Sequence, residues 1–385
     1  MTHPAHLADA GLVAPDFEGP HLGRLVPAAL DAIGADVPGA DGAAARKLLG
    51  LPTARHVIVV LLDGLGHYQL DARKGHAPFL RGAESAILSA GFPTTTATSL
   101  AMLGTGKAAG LTGMTGYTAR NPSTGGLANL VSWDGAQEPS EWQREPRLMA
   151  LAADAGVEVT ALGKPKFHGS GLTLAVLEGG TFIGVKHLHD GVDAAIEASK
   201  RPGMTYLYWS EIDAAGHAKG WQSNEWVAAL EEADRQLARL ASRLGPGVEM
   251  IVTADHGMID VEGAPRWNVG LDPVLSRGVA LVAGEPRALH VHVEPGVDPA
   301  DVAARWAQEL GDHAVVGSRA EWIAAGVFGP VAEHVLERIG DVVVAMTGRA
   351  TVVDARTQTP ASLLLAGMHG SLTPEELYVP LLTIA

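Results

Sequence analysis

Three aspartates and three histidines punctuate this chain at the ends of apolar runs: Asp63 in VVLLDG, Asp213 and His217 in EIDAAGH, Asp255 and His256 in TADHG, and His369 in GMHG. In an open α/β sheet, functional groups collect at the carboxyl ends of the strands. Four strand ends would thus bring all six side chains to one place. Carboxylates and imidazoles together suit Zn2+ or Mn2+. The sequence has no cysteine, so any metal must sit on His, Asp or Glu. Each residue alone also has a structural reading. An Asp-Gly after a strand is often a turn, a single His beside an apolar run is often a satisfied core residue, and Asp213 and His217, four apart, could be a helical surface pair. Asp255-His256 fits that reading least, because two adjacent polar side chains after a buried strand are costly unless they bind something.

The segment GFPTTTATSLAMLGTG (91–106) places three threonines before an apolar stretch, 97–103, that reads as a helix. A threonine there can simply cap the helix. A hydroxyl at a helix N-terminus also sits in positive potential beside free N–H groups, which favours an alkoxide and an incoming phosphate; a nearby metal would acidify it further.

A largely parallel sheet would position these groups. The run at 56–64, HVIVVLLDG, is a β-branched and aliphatic stretch suited to a strand buried on both faces. Similar runs recur at 157–162, 204–209, 250–253, 288–293 and 341–345, with helical patterns at 148–155, 190–199 and 226–244 between several of them. Strands alternating with helices predict an α/β sandwich with a central, mostly parallel sheet flanked by helices. Residues 1–50, with helical stretches at 22–33 and 43–49, read as an N-terminal lead-in packed on it. Residues 257–368 have short strand-like pieces and many turns, which leaves room for a small lobe, but a single catalytic domain over 1–385 is the expectation.

At 385 residues, 47% hydrophobic and 18% charged, the chain can bury a sizeable core. Its formal charge of −15, from 28 basic and 43 acidic residues, offers no broad basic surface for long nucleic acid. A small anionic substrate remains compatible if metal ions supply local positive charge. The N-terminus lacks a basic region followed by an apolar one, and no apolar run approaches the roughly 20 residues that span a bilayer. These features predict a cytoplasmic protein with no membrane association and no obligate protein partner.

In order and spacing these motifs resemble the alkaline phosphatase superfamily, in its type I phosphodiesterase and nucleotide pyrophosphatase branch, over roughly residues 55–383. The resemblance implies an alkaline-phosphatase-like sandwich and two divalent metal ions, Mn2+ or Zn2+. Asp213, His217 and His369 would hold one. Asp63, Asp255 and His256 would hold the other, with Thr96 as nucleophile bridging toward both and Thr95 as the fallback. In two places the chain departs from the family's pattern. Ser99 stands where an Asn usually helps bind a non-bridging oxygen, and Ala97 stands where an aromatic residue is common. Base stacking is therefore left to other side chains, with Tyr117, Trp133 and Phe167 as candidates. Lys164 and Lys166 are the cations that could fold toward the substrate.

The resemblance implies phosphodiester hydrolysis through a phosphothreonine. Residues 82–106 contain no Lys or Arg, which favours a singly charged diester over a dianionic monoester. Length, composition and the missing export signal resemble the actinobacterial branch that includes cyclic di-AMP phosphodiesterases, so cyclic di-AMP, opened to the linear dinucleotide and then AMP, is the leading substrate. The alternative is a nucleotide pyrophosphatase acting on linear dinucleotides or nucleoside triphosphates, ahead of a phosphomonoesterase or a non-enzymatic relic. A sulfatase would need a C/S-x-P-x-R motif, which is absent. A cofactor-independent phosphoglycerate mutase would have Ser in place of Thr96. His290 and His292, and the pair His187/His189, read as structural or surface residues.

Overall fold

The computed structural model describes residues 3–384. Met1, Thr2 and Ala385, the outermost residues of the lead-in and of the expected domain, lie outside them. Strand His56–Leu62 forms the axis of the fold. All seven of its residues are buried, as a run apolar on both faces requires. It pairs in parallel with Gly203–Trp209 on one side and Val248–Thr253 on the other. Val159–Gly163 and Thr181–Gly184 extend the sheet in parallel beyond Gly203–Trp209. On the opposite flank Tyr378–Ile384 pairs antiparallel with both Val248–Thr253 and the edge strand Glu84–Ser89. Only Tyr378–Ile384 runs against the rest of this seven-stranded sheet, so the expected mixed α/β architecture is the one observed.

Helices cover the sheet. Leu25–Ala32 and Leu188–Ala198 pack directly on it. Asn224–Ala241 starts where the Ser223 side chain accepts from Trp226 N at 3.2 Å. It buries Trp226, Leu230, Ala233, Leu237 and Leu240, whose spacing marks one helical face. The N-terminal segment contributes Leu22, Leu25, Val26 and Leu30 to the same core.

A second, six-stranded antiparallel sheet lies beside the first. It contains Ala288–Val293 and Val342–Met346, two runs that the sequence pattern assigned to the parallel sheet; this is a correction. A continuous apolar run reports burial on both faces and carries no information on strand direction. Leu289, Val291, Val342 and Val344 face a separate core with Trp306 of helix Pro299–Leu310, whereas Ala288, Val343 and Ala345 face the main core. Strands Thr118–Arg120 and Leu127–Asn129 join this sheet from outside residues 257–368.

Candidate active site

The six Asp and His side chains converge at the carboxyl edge of the central sheet. Asp63 follows His56–Leu62. The next residue, Gly64, has φ 75°, and a Cβ there would stand 2.9 Å from the Asp213 Cα. The Asp-Gly step thus lets two strand ends close on each other. Gly64 N also donates to Asp255 Oδ1 at 3.1 Å. Asp213 and His217 share one face of helix Glu211–Lys219, with His217 Nε2 3.3 Å from Asp213 Oδ1. Asp255 and His256 follow Val248–Thr253, and His369 follows the short strand Gly367–Met368.

Backbone carbonyls orient all three imidazoles. Nδ1 of His217 lies 2.8 Å from Gly367 O, that of His256 2.9 Å from Gly257 O, and that of His369 2.8 Å from Thr94 O. A ring nitrogen that faces a carbonyl carries the proton, so each Nε2 is left with a free lone pair. These lone pairs meet. His369 Nε2 is 3.2 Å from His217 Nε2 and 4.0 Å from Asp213 Oδ1. His256 Nε2 is 3.5 Å from both Asp63 Oδ1 and Asp255 Oδ2.

The carboxylates add to the excess of acceptors. Asp63 Oδ1, Asp213 Oδ1 and Asp255 Oδ2 are buried and receive no hydrogen bond. Burial first, and then the charges of Asp255 and Asp213, hold the Asp63 carboxyl well above the usual carboxylate range. Burial, helped by His256 and His217, pushes the His369 imidazole well below its ordinary value. Clustered lone pairs without donors are costly unless a cation satisfies them, and this set of oxygens and imidazole nitrogens fits divalent metal ions. Ligand atoms of Asp213, His217 and His369 lie within 4.8 Å of one another, as do those of Asp63, Asp213 and His256. Asp213 belongs to both groups, and Asp255 flanks the second.

The three threonines separate cleanly. Thr94 is buried, donating to Ser371 O at 2.8 Å and accepting from Gly370 N at 3.0 Å. Thr95 is buried at the N-cap of helix Thr96–Thr105, without a side-chain capping bond. Thr96 is half-buried, and its Oγ1 lies 3.3 Å from His256 Nε2. Ser99, one turn further on, is fully buried, its hydroxyl has no hydrogen-bond partner, and it does not line the neighbouring cavity.

That cavity, about 390 Å3, opens beside Thr96 and is walled by Tyr117, Phe167, Phe182, Tyr206 and Tyr208 with Leu100. Among the described residues its only cation is Lys166. Lys164 does not line it; Glu211 Oε2 holds its ammonium at 2.7 Å. Tyr117 and Phe167 reach the cavity, but Trp133 does not. Trp133 packs edge-on against Trp142 and against Gly171, where a Cβ would stand 2.0 Å from its ring. Sequence reasoning missed Tyr206 and Tyr208, whose hydroxyl donates to Asp63 Oδ2. The signal was present: in TYLYW the two tyrosines sit two apart, hence on one face of a strand that leads directly to Asp213. The remaining histidines stay outside the site. His290 and His292 are buried in the second sheet, and His187 and His189 stack on each other at 5.2 Å.

An α/β sheet with this constellation at its carboxyl edge has the architecture of the alkaline phosphatase superfamily. A family model described as type I phosphodiesterase / nucleotide pyrophosphatase matches residues 57–372, and the chain belongs to that family. Among solved structures, murine ectonucleotide pyrophosphatase / phosphodiesterase 5 superposes with a TM-score of 0.68 at 18% identity, over 84% of this chain and 87% of that one. Phosphonoacetate hydrolase from Sinorhizobium meliloti 1021, in complex with phosphonoacetate, superposes with a TM-score of 0.67 at 21% identity, over 86% and 90%. At these identities the likeness is one of fold. A phosphopentomutase from Symbiobacterium thermophilum is 30% identical over 182 residues, 44% of this chain and 42% of that protein; the chain thus spans less than half the length of this relative. Among the described residues no helix is long and apolar enough to cross a membrane.

Proposed function

We propose that this protein hydrolyses a nucleotide phosphodiester, with Thr96 as nucleophile and a phosphothreonine linkage as intermediate. The observation that carries the reading is the position of Thr96 Oγ1, 3.3 Å from His256 Nε2 within the Asp/His cluster and at the mouth of an aromatic cavity. Asp213, His217 and His369 would hold one divalent ion and Asp63, Asp255 and His256 another, with Asp213 near both. Bound there, Mn2+ or Zn2+ would neutralise the phosphoryl oxygens and acidify the Thr96 hydroxyl. Thr96 Oγ attacks phosphorus in line, an Oγ–P bond forms, and the leaving oxygen departs with its electron pair; water then cleaves the Oγ–P bond and restores the hydroxyl. The first-turn N–H groups of helix Thr96–Thr105 receive no side-chain cap from Thr95, and such a helix start favours an anion. The threonine role has further support in the murine neighbour, also solved as an inactive Thr-to-Ala variant in complex with AMP.

Cyclic di-AMP in the cytoplasm is the substrate we favour, with linear nucleotide pyrophosphates as the alternative. The cavity is at the lower end of the roughly 300–1,000 Å3 usual for small-molecule sites, which suits one nucleoside stacked on Phe167 and Tyr117. Among the described residues Lys166 is the single cation lining it, in keeping with a diester. A second reading, phosphomonoester chemistry, draws on the partial match to phosphopentomutase. Turnover of cyclic di-AMP, linear dinucleotides, bis(p-nitrophenyl) phosphate and p-nitrophenyl phosphate, each with Mn2+ and with Zn2+, separates these readings. The diester is expected to exceed the monoester in kcat/KM, and the reverse order would overturn the assignment. Turnover of linear pyrophosphates alone would remove only cyclic di-AMP.

A further inference from the structure

Tyr208 touches both halves of the site. It is half-buried on strand Gly203–Trp209, its ring lines the cavity and meets Phe167 edge-on at 5.4 Å, and its hydroxyl donates to Asp63 Oδ2. Asp63 has two oxygens with different environments. Oδ2 accepts the tyrosine hydrogen bond, while Oδ1 has no donor and lies 3.5 Å from His256 Nε2. A carboxylate with one oxygen tied down cannot rotate its second oxygen away from the cluster, and loss of such an outer partner typically weakens metal binding. Tyr206, two residues earlier on the same face, lines the same cavity, but its buried hydroxyl has no partner. Of the two hydroxyls, only that of Tyr208 is bonded to the cluster.

We propose that Tyr208 is a positioning residue that holds the Asp63 carboxylate in its ligand orientation through the Oη–Oδ2 bond, so that the wall of the substrate cavity and the metal cluster are fixed by one side chain. This rests on the metal reading above. The test is Mn2+ binding to chelator-stripped protein, followed by isothermal calorimetry, for wild type, Tyr208→Phe and Tyr206→Phe. Tyr208→Phe keeps the ring, so KM for bis(p-nitrophenyl) phosphate stays the same at saturating Mn2+. Affinity at one Mn2+ site falls by roughly ten- to a hundredfold, and kcat recovers as Mn2+ is raised. Tyr206→Phe leaves Mn2+ affinity unchanged. In an Asp63→Ala background Tyr208→Phe has no further effect, because the acceptor is gone. Superimposable Mn2+ isotherms for wild type and Tyr208→Phe overturn the proposal, as does an undiminished effect in the Asp63→Ala background. If Tyr208→Phe fails to fold, Zn2+ titration of 13Cζ-tyrosine-labelled protein reads the same bond: one tyrosine resonance shifts in wild type and not in Asp63→Ala, and no such shift overturns it. A wild type that binds no Mn2+ overturns the metal reading itself, which keeps the two failures apart.

Discussion

Glu285 makes the stability of this protein depend on pH in a calculable way. It ends strand Val279–Glu285 and is buried behind the nucleophile segment, with Oε2 accepting from Tyr117 N at 3.0 Å and Oε1 without a partner. Burial pushes its carboxyl from 4.5 up to about 8, against the opposing bonds from Tyr117 N and the Thr95 side chain. Between these two values the folded chain keeps a proton that the unfolded chain has released. The contribution is therefore complete below 4.5 and is lost as pH rises through about 8. The slope is about −1.4 kcal/mol per pH unit, or about 4 kcal/mol between pH 5 and pH 8. Glu285→Gln is neutral throughout and keeps an acceptor for Tyr117 N. Urea unfolding of both proteins in chelator cancels the titration of the shared Asp and His cluster. The wild type is expected to lose about 4 kcal/mol relative to Glu285→Gln from pH 5 to pH 8; parallel stability curves would refute the reasoning.

Other perturbations have equally definite signs. Burial holds His292 down at about 3, so it stays neutral in the fold, and stability falls by about 1.4 kcal/mol per pH unit as pH drops from 6.5 toward 3. His292→Gln should flatten that acid limb, and coincident acid-unfolding curves would rule this out. Gly104→Ala would set a Cβ 1.9 Å from Val176 O; overpacking of about 1–3 kcal/mol exceeds the helix-propensity gain of about 1 kcal/mol, so Tm should fall, and a rise would contradict the close packing. Phe167→Ala should raise KM for nucleotide diesters by roughly tenfold with kcat retained, since stacking on one base contributes about 1–3 kcal/mol; an unchanged KM would remove Phe167 from the site.

The sequence was most informative where burial and chemistry coincide. His56–Leu62 stood out because a run apolar on both faces has few homes, and Asp63, Asp255 and His256 because polar groups directly after such runs need a reason. Tyr378–Ile384 and Glu84–Ser89 were harder: the first is an antiparallel insertion whose partners lie across the chain, and the second is an edge strand exposed over most of its length. Strand direction at Ala288–Val293 depends on pairing partners and not on composition. Tyr208 carried no motif, because its role comes from a hydroxyl that meets Asp63 only after two strands pair. Lys164 looked free until Glu211, 47 positions later, closed on it.

The most direct test of the central claim is turnover of bis(p-nitrophenyl) phosphate by Thr96→Ala, with bound metal measured on the same sample. Removal of one hydroxyl at the first position of helix Thr96–Thr105 leaves the Asp and His cluster intact, so the variant should retain the wild-type content of about two divalent ions per chain. Its kcat should fall by roughly a thousandfold or more, as expected when the attacking atom is deleted. A fully metallated Thr96→Ala that turns over within about tenfold of the wild type would contradict the assignment of Thr96 as the nucleophile.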